Sequence, residues 1–240
     1  MSKHILIIQQ SANKIPGNIL KIAAGLNIQT RIIKLWHKNM AIPSSLNKYD
    51  ALVVLDAAPP PADHDNPLSP KCVQDVITKS LEDDRPFLGI GRGLHLLAAH
   101  YGAVIDDNFT PDIGFITGYL THKGREHPIF NNLPDKFLLF KWHRQAVMSP
   151  TPANVDILAS SVSCQFEALS ITGRPHIVGL QFMNNSAALK DVKKHIINDK
   201  NWLSSHDQQA LPTITDEAAR LGSIATNHFN AIFSNFINMI

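Results

Sequence analysis

Residues 86–98 read Pro-Phe-Leu-Gly-Ile-Gly-Arg-Gly-Leu-His-Leu-Leu-Ala: a short apolar run, glycines at alternate positions, then apolar residues at helical spacing. Few folds accommodate such a stretch. The apolar run suits a buried strand, and the glycines let the chain turn sharply into a helix packed close against it. A strand–turn–helix of this kind raises one residue onto an exposed corner, from which a reactive side chain can be presented. Here the corner residue is Gly91, which has no side chain to react. The framework of a reactive site is expected, without its reacting group.

The rest of the chain supplies what such a corner is built on. Residues 4–8 and 31–35 read as strands, and 51–55 is an unbroken apolar run, as expected of a parallel strand covered on both faces. Helical patterns over about 17–26, 71–80 and 93–101 separate these runs from one another and from the strand at 87–90. Strands joined by crossover helices predict a doubly wound, mostly parallel sheet flanked by helices. The prolines at 59–61 mark a surface loop. Beyond residue 103 the pattern becomes short β-runs at 115–121, 137–140, 157–160, 166–171 and 176–182. From Thr213 to Ile240, cap residues and an acidic first turn predict a long terminal helix. Its Phe- and Ile-rich end either packs on the domain or forms a subunit interface. One domain is expected over 1–240, with a core to about 190 and a helical tail from about 190 to 240.

Composition narrows the partners. A net charge of +2 with both signs interspersed gives no electrostatic footprint for nucleic acid. The first apolar run is too short for a signal peptide and reads as a buried strand, and no apolar stretch approaches a membrane span. Two cysteines in 240 residues fit a reducing cytoplasm better than a disulfide framework. Among twelve histidines no His-x-x-x-His pair occurs, and there is no Cys-x-x-Cys, so neither a metal nor any other cofactor is expected.

Four further segments accompany the corner in order: Asp-Ala-Leu-Val-Val-Leu-Asp-Ala-Ala-Pro at 50–59, Pro-Asp-Ile-Gly-Phe at 111–115, Phe-Lys-Trp-His-Arg-Gln at 140–145 followed by Leu-Ala-Ser-Ser at 158–161, and Val-Gly-Leu-Gln-Phe-Met-Asn-Asn at 178–185. Together they resemble the class I glutamine amidotransferases, in the branch related to the amidotransferase part of GMP synthase. The resemblance implies a flavodoxin-like fold and runs to about residue 190. It also implies where reacting groups would stand. The nucleophilic cysteine position is Gly91, the general-base histidine is Met183 and the glutamate that orients it is Asn185. The Gly-Gly turn of the oxyanion site is Asp56-Ala57-Ala58, the glutamine beside the corner is His95, and the aspartate of Trp-His-x-Asp is Gln145.

Those replacements remove the chemistry of glutamine hydrolysis, which needs a thiolate, a base and oxyanion donors. Neither remaining cysteine substitutes: Cys72 reads as an early helical turn and Cys164 as part of a turn. What remains as ligand-binding candidates is Asp56, Arg92, His95, His143 and Gln181, the last also fitting a structural role at a strand end. Three readings stay open. The chain is a pseudoenzyme whose remnant glutamine pocket binds a small molecule or whose surface, including the C-terminal helix, regulates a partner or forms a homodimer. It is an enzyme of different chemistry using His95, His143 or Asp56 as acid or base. Or it is a structural subunit whose pocket is filled by side chains such as Met183.

Overall fold

A computed structural model describes residues 2–38, 40–57, 70–206 and 210–240. The expected proline loop at 59–61 lies outside the described residues. The chain forms one nine-stranded sheet in the order β2-β1-β3-β4-β9-β8-β7-β5-β6. These strands are β1 His4–Gln9, β2 Gln29–Lys34, β3 Ala51–Val54, β4 Phe87–Ile90, β5 Val104–Leu120, β6 Lys136–Met148, β7 Val155–Ser160, β8 Ala168–Ile171 and β9 Arg174–Leu180. From β2 to β9 all neighbours in that order are parallel. From β9 onward they are antiparallel.

The parallel half follows from its sequence. Each of Ala51–Val54 and Phe87–Ile90 is buried along its whole length. Alternate residues feed two different cores, as a sheet covered on both faces requires. Ile5, Ile7, Val53 and Leu88 join one cluster, with α1 (Ile19–Gly25) and α7 (Ala210–Asn238) packed over it. Leu6, Ile8, Leu52, Val54 and Phe87 join the other, under α2 (Pro70–Glu82) and α3 (Arg92–His100). Leu55 extends β3 by one backbone bond, its N–H donating to Ile8 O at 3.0 Å.

Two elements depart from the sequence pattern. β5 and β6 are far longer than the runs expected at 115–121 and 137–140, and pair with each other across a register shift between Asp107 and Asp112. In β6 the alternation continues through Phe140-Lys141-Trp142-His143, but its polar members are buried too. Lys141 is fully buried against Glu167, with Asp112 Oδ2 at 3.3 Å, so the strand runs on where a polarity rule ends it. The tail begins at Leu189, close to the expected residue 190, and carries two helices ahead of α7, α5 Leu189–Asn198 and α6 Lys200–His206. A short helix, α4 His122–Glu126, was not foreseen; the Thr121 hydroxyl caps it by accepting from Gly124 N–H.

The Phe- and Ile-rich face of α7 is taken up by the chain's own core. Phe229, Ile232, Phe233 and Phe236 are all at 0% exposure. No helix among the described residues is long and apolar enough to cross a membrane.

Candidate functional site

The corner forms where the sequence places it. β4 ends at Ile90, α3 begins at Arg92, and between them Gly91 holds φ 54° and ψ −112°, a conformation that L side chains rarely adopt. Its N–H donates to Leu180 O of β9 at 2.8 Å, and its carbonyl accepts His95 N–H at 3.1 Å to open the helix. Gly93 lets that first turn lie directly on β3, since a Cβ there would collide with the Val54 carbonyl oxygen.

Asp56, just past the end of β3, fills the corner. Its Oδ1 accepts Arg92 N–H at 2.8 Å, so the free amide at the start of α3 is taken by a carboxylate of the same chain. A Cβ built on Gly91 would lie 2.5 Å from that oxygen and 2.6 Å from Asp56 Cγ. The other carboxylate oxygen is 3.6 Å from Lys14 Nζ, which also reaches Asp199 Oδ2 at 3.2 Å. Trp142 Nε1–H donates to that same Asp199 oxygen at 2.8 Å. Lys14 is 3% exposed, so this is an interior network, where ion pairing offsets the cost of desolvation.

Around it lies a cleft of about 340 Å³, lined by Lys14, Asp56, Arg92, His95, Trp142, His143, Asp199 and Trp202 among others. His95 is buried and its Nε2 is hydrogen-bonded to Gln181 Oε1 at 2.8 Å. Burial pushes its pKa below the ordinary histidine value, and the Gln181 bond opposes this only in part. His143 is pushed down further, by burial and then by the Lys141 ammonium. Both rings are therefore neutral near pH 7. Behind them Glu167, buried with Lys141, is shifted upward by desolvation.

Of the residues singled out from sequence, Asp56, Arg92, His95 and His143 meet at this cleft. Gln181 stands behind His95 as its hydrogen-bond partner. Met183 and Asn185 do not line the cleft. Met183 is 2% exposed within the apolar core, its N–H donating to Phe140 O at 2.8 Å. Asn185 is turned toward the β1–α1 loop, its Nδ2 donating to Ile15 O and Pro16 O at 3.3 Å each. The cysteines are elsewhere as well: burial raises the Cys72 thiol pKa and pushes that of Cys164, beside Glu167, up to about 12. Neither thiol is poised as a thiolate. Among the described residues no group of three or more His, Cys, Asp or Glu is placed to hold a metal ion.

Lys14, Asp199 and Trp202 escaped the sequence reading. Lys14 sits in a polar loop and the other two in the tail, and no spacing or motif connects them. Only the fold brings them beside Asp56.

A family model described as glutamine amidotransferase class-I matches residues 12–183. The chain belongs to that family. A stretch of 100 residues is 32% identical to a glutamine-hydrolysing GMP synthase of Chlorobium chlorochromatii, covering 40% of this chain and 19% of that protein. The match thus spans about a fifth of that curated relative. Among solved structures, a glutamine amidotransferase of Thermotoga maritima superposes with a TM-score of 0.84 at 19% identity, covering 99% of each chain. A glutamine amidotransferase from Methylobacillus flagellatus gives 0.78 at 19% identity, over 99% of this chain and 95% of that one. At such identity the likeness is one of fold: an α/β sheet flanked by helices, of the class I amidotransferase type.

Proposed function

We propose that this chain is a GMP synthase-related amidotransferase homologue that no longer hydrolyses glutamine. It acts as a pseudoenzyme whose cleft binds a small molecule. In this reading Gly91, Met183 and Asn185 occupy the positions of the nucleophile, the base and its orienting acid, in one cytoplasmic domain spanning residues 1–240. The observation that carries it is Asp56. Its carboxylate occupies the volume that any side chain on Gly91 would enter, and takes the Arg92 amide that would otherwise face an oxyanion. A negative charge there opposes the build-up of negative charge that acyl transfer requires.

The other readings have less support. An acid–base enzyme would need a titrating group near neutrality, and burial holds both cleft histidines neutral. A purely structural subunit would have a filled pocket, yet a cleft remains and Met183 lies outside it. Regulation of a partner through α7 would have to use its outer residues, such as Ile224, because the aromatic face is buried.

The test is ammonia release from L-glutamine by the full-length protein. None above the uncatalysed background is expected. Turnover above that background would overturn the proposal, and its survival after substitution of both Cys72 and Cys164 by alanine would require a nucleophile other than a thiol.

A further inference from the structure

Two sets of polar atoms in the cleft are left without partners by the chain itself. The first is at Arg92. Lys14 is balanced by Asp56 and Asp199, and Arg144 is paired with Asp107. The Arg92 guanidinium has one side-chain partner among the described residues, the neutral Gln145 Oε1 at 3.2 Å. A guanidinium with no carboxylate, at the edge of a cleft, is a fork ready for a planar anion.

The second set lies deeper. His95 is 6% exposed and the His143 side chain 9% exposed, and both line the cleft. His95 Nε2 is hydrogen-bonded to Gln181 Oε1, while its Nδ1 has no side-chain partner. Both ring nitrogens of His143 are also without a hydrogen bond, Asp112 Oδ2 being 3.8 Å from Nε2. Buried polar atoms are usually satisfied, so a concentration of exceptions facing one cavity marks the place of an absent polar group.

We propose that the cleft binds a small organic monoanion, a carboxylate carrying a hydroxyl or amide at its far end, with the carboxylate on Arg92 and the far end hydrogen-bonded to His95 Nδ1 and the His143 ring. This rests on the reading of the cleft as a binding site without glutaminase chemistry. A hydroxyl or an amide both donates and accepts, and so fits His95 Nδ1 in either ring tautomer. One negative charge is matched and a second is not: Lys14 and Arg144 are already engaged with carboxylates, and Asp56 and Asp199 would repel further anionic groups. Asp56 and Asp199 share the single charge of Lys14, one carboxylate more than it balances, so the charges there do not select against an α-ammonium. The volume, about 340 Å³, lies near the lower end for ligand pockets and suits a compound of about one ring. Trp142 and Trp202 line it and offer an apolar wall to such a body.

Isothermal titration of the full chain with 4-hydroxybenzoate and with glutaramate tests this, against benzoate, which lacks the hydroxyl, and L-glutamine, which adds an ammonium to glutaramate. Saturable binding of at least one of the first two is expected, 4-hydroxybenzoate binding more tightly than benzoate. Arg92→Gln should weaken it about tenfold, the worth of one charge-assisted contact. His143→Gln should weaken 4-hydroxybenzoate and leave benzoate unchanged, with thermal melts verifying that both variants fold. Absence of binding by both probes, or binding unmoved by Arg92→Gln, would overturn the assignment. Ammonia measured in the same titrations separates the two proposals. Release from L-glutamine would sink the pseudoenzyme reading whatever the binding data say, whereas silence in both assays would sink only the ligand.

Discussion

The segments that follow β4 and β9 leave neighbouring parallel strands, paired at Ile90 and Leu180, yet they do opposite things. After β4 the chain makes an open, charged corner: Gly91 on its strained turn, the Arg92 amide held by Asp56, and the cleft alongside. After β9 it makes a plug. Phe182, Met183, Asn184, Asn185 and Ser186 are all 3% exposed or less, and their polar atoms point back into the protein. Asn184 Oδ1 accepts Phe140 N–H at 2.6 Å, and Ser186 Oγ meets His195 Nε2 at 2.9 Å. One strand end of this sheet can thus be open to a cleft while its neighbour is sealed. The sheet supports both edges, and only the side chains at the strand ends decide which is open.

The largest effect is expected at the support shared by the two edges. Gln181 N–H donates to Glu167 O and Met183 N–H to Phe140 O, so the plug is held by the backbone on either side of the buried Lys141–Glu167 pair. Lys141→Met would strand Glu167 in the interior and lower unfolding stability by about 3–5 kcal/mol, whereas Lys141→Met with Glu167→Leu would recover part of it, Asp112 still lacking the ammonium. Denaturant titration of the single and double variants measures this. Equal losses in both would show that the pair does not support the plug.

Next in size is Met183→His, which puts an imidazole into the apolar plug. A cost of about 2–3 kcal/mol is expected from burying its nitrogens without partners. A neutral effect would mean that the plug opens toward the cleft, and would erase the contrast between the two edges.

Acid acts on the sealed side through His195. Burial holds His195 down to about 3, well below the value it has when unfolded, so the unfolded chain takes up its proton first as pH falls. This contribution to stability is present above pH about 6.5 and is lost progressively down to about 3. Between pH 6.5 and 5 the loss amounts to about 2 kcal/mol for one fully neutral buried histidine. His195→Gln should flatten the slope of stability against pH by about one proton in that window. An unchanged slope would place the titration elsewhere.

The smallest effect is at the loop clasp. Asn185→Ala removes two long hydrogen bonds to Ile15 and Pro16 carbonyls and is expected to cost about 1 kcal/mol, read from the denaturation midpoint.

How much of this was legible in the sequence differs between the same two edges. The apolar run at 51–55 and the glycines at 89, 91 and 93 specify their structure locally, because a fully buried parallel strand and a one-residue turn admit few alternatives. The corner, with Asp56, Arg92 and His95 around it, was therefore readable. The sealed edge was not. Nothing in Phe-Met-Asn-Asn says that Asn185 will turn toward Ile15, or that Met183 will leave the cleft, since both depend on packing with distant segments. Lys141 misled in another way: a lysine inside an alternating run reads as a strand end until its partner Glu167, far along the chain, is known. Lys14 and Asp199 form a third case, single charges whose meaning comes only from converging on one point.

The claim at the centre of this account is that Asp56 fills the space of a corner side chain. A double-mutant cycle on Gly91→Ala and Asp56→Gly, read by chemical denaturation, tests it most directly. Gly91→Ala alone should destabilise by about 2–3 kcal/mol, from the positive φ and the collision with the carboxylate together. In the Asp56→Gly background the collision is gone, and the same substitution should cost at least about 1 kcal/mol less, leaving the backbone strain. Additive effects would contradict the account: Asp56 would then not occupy the corner.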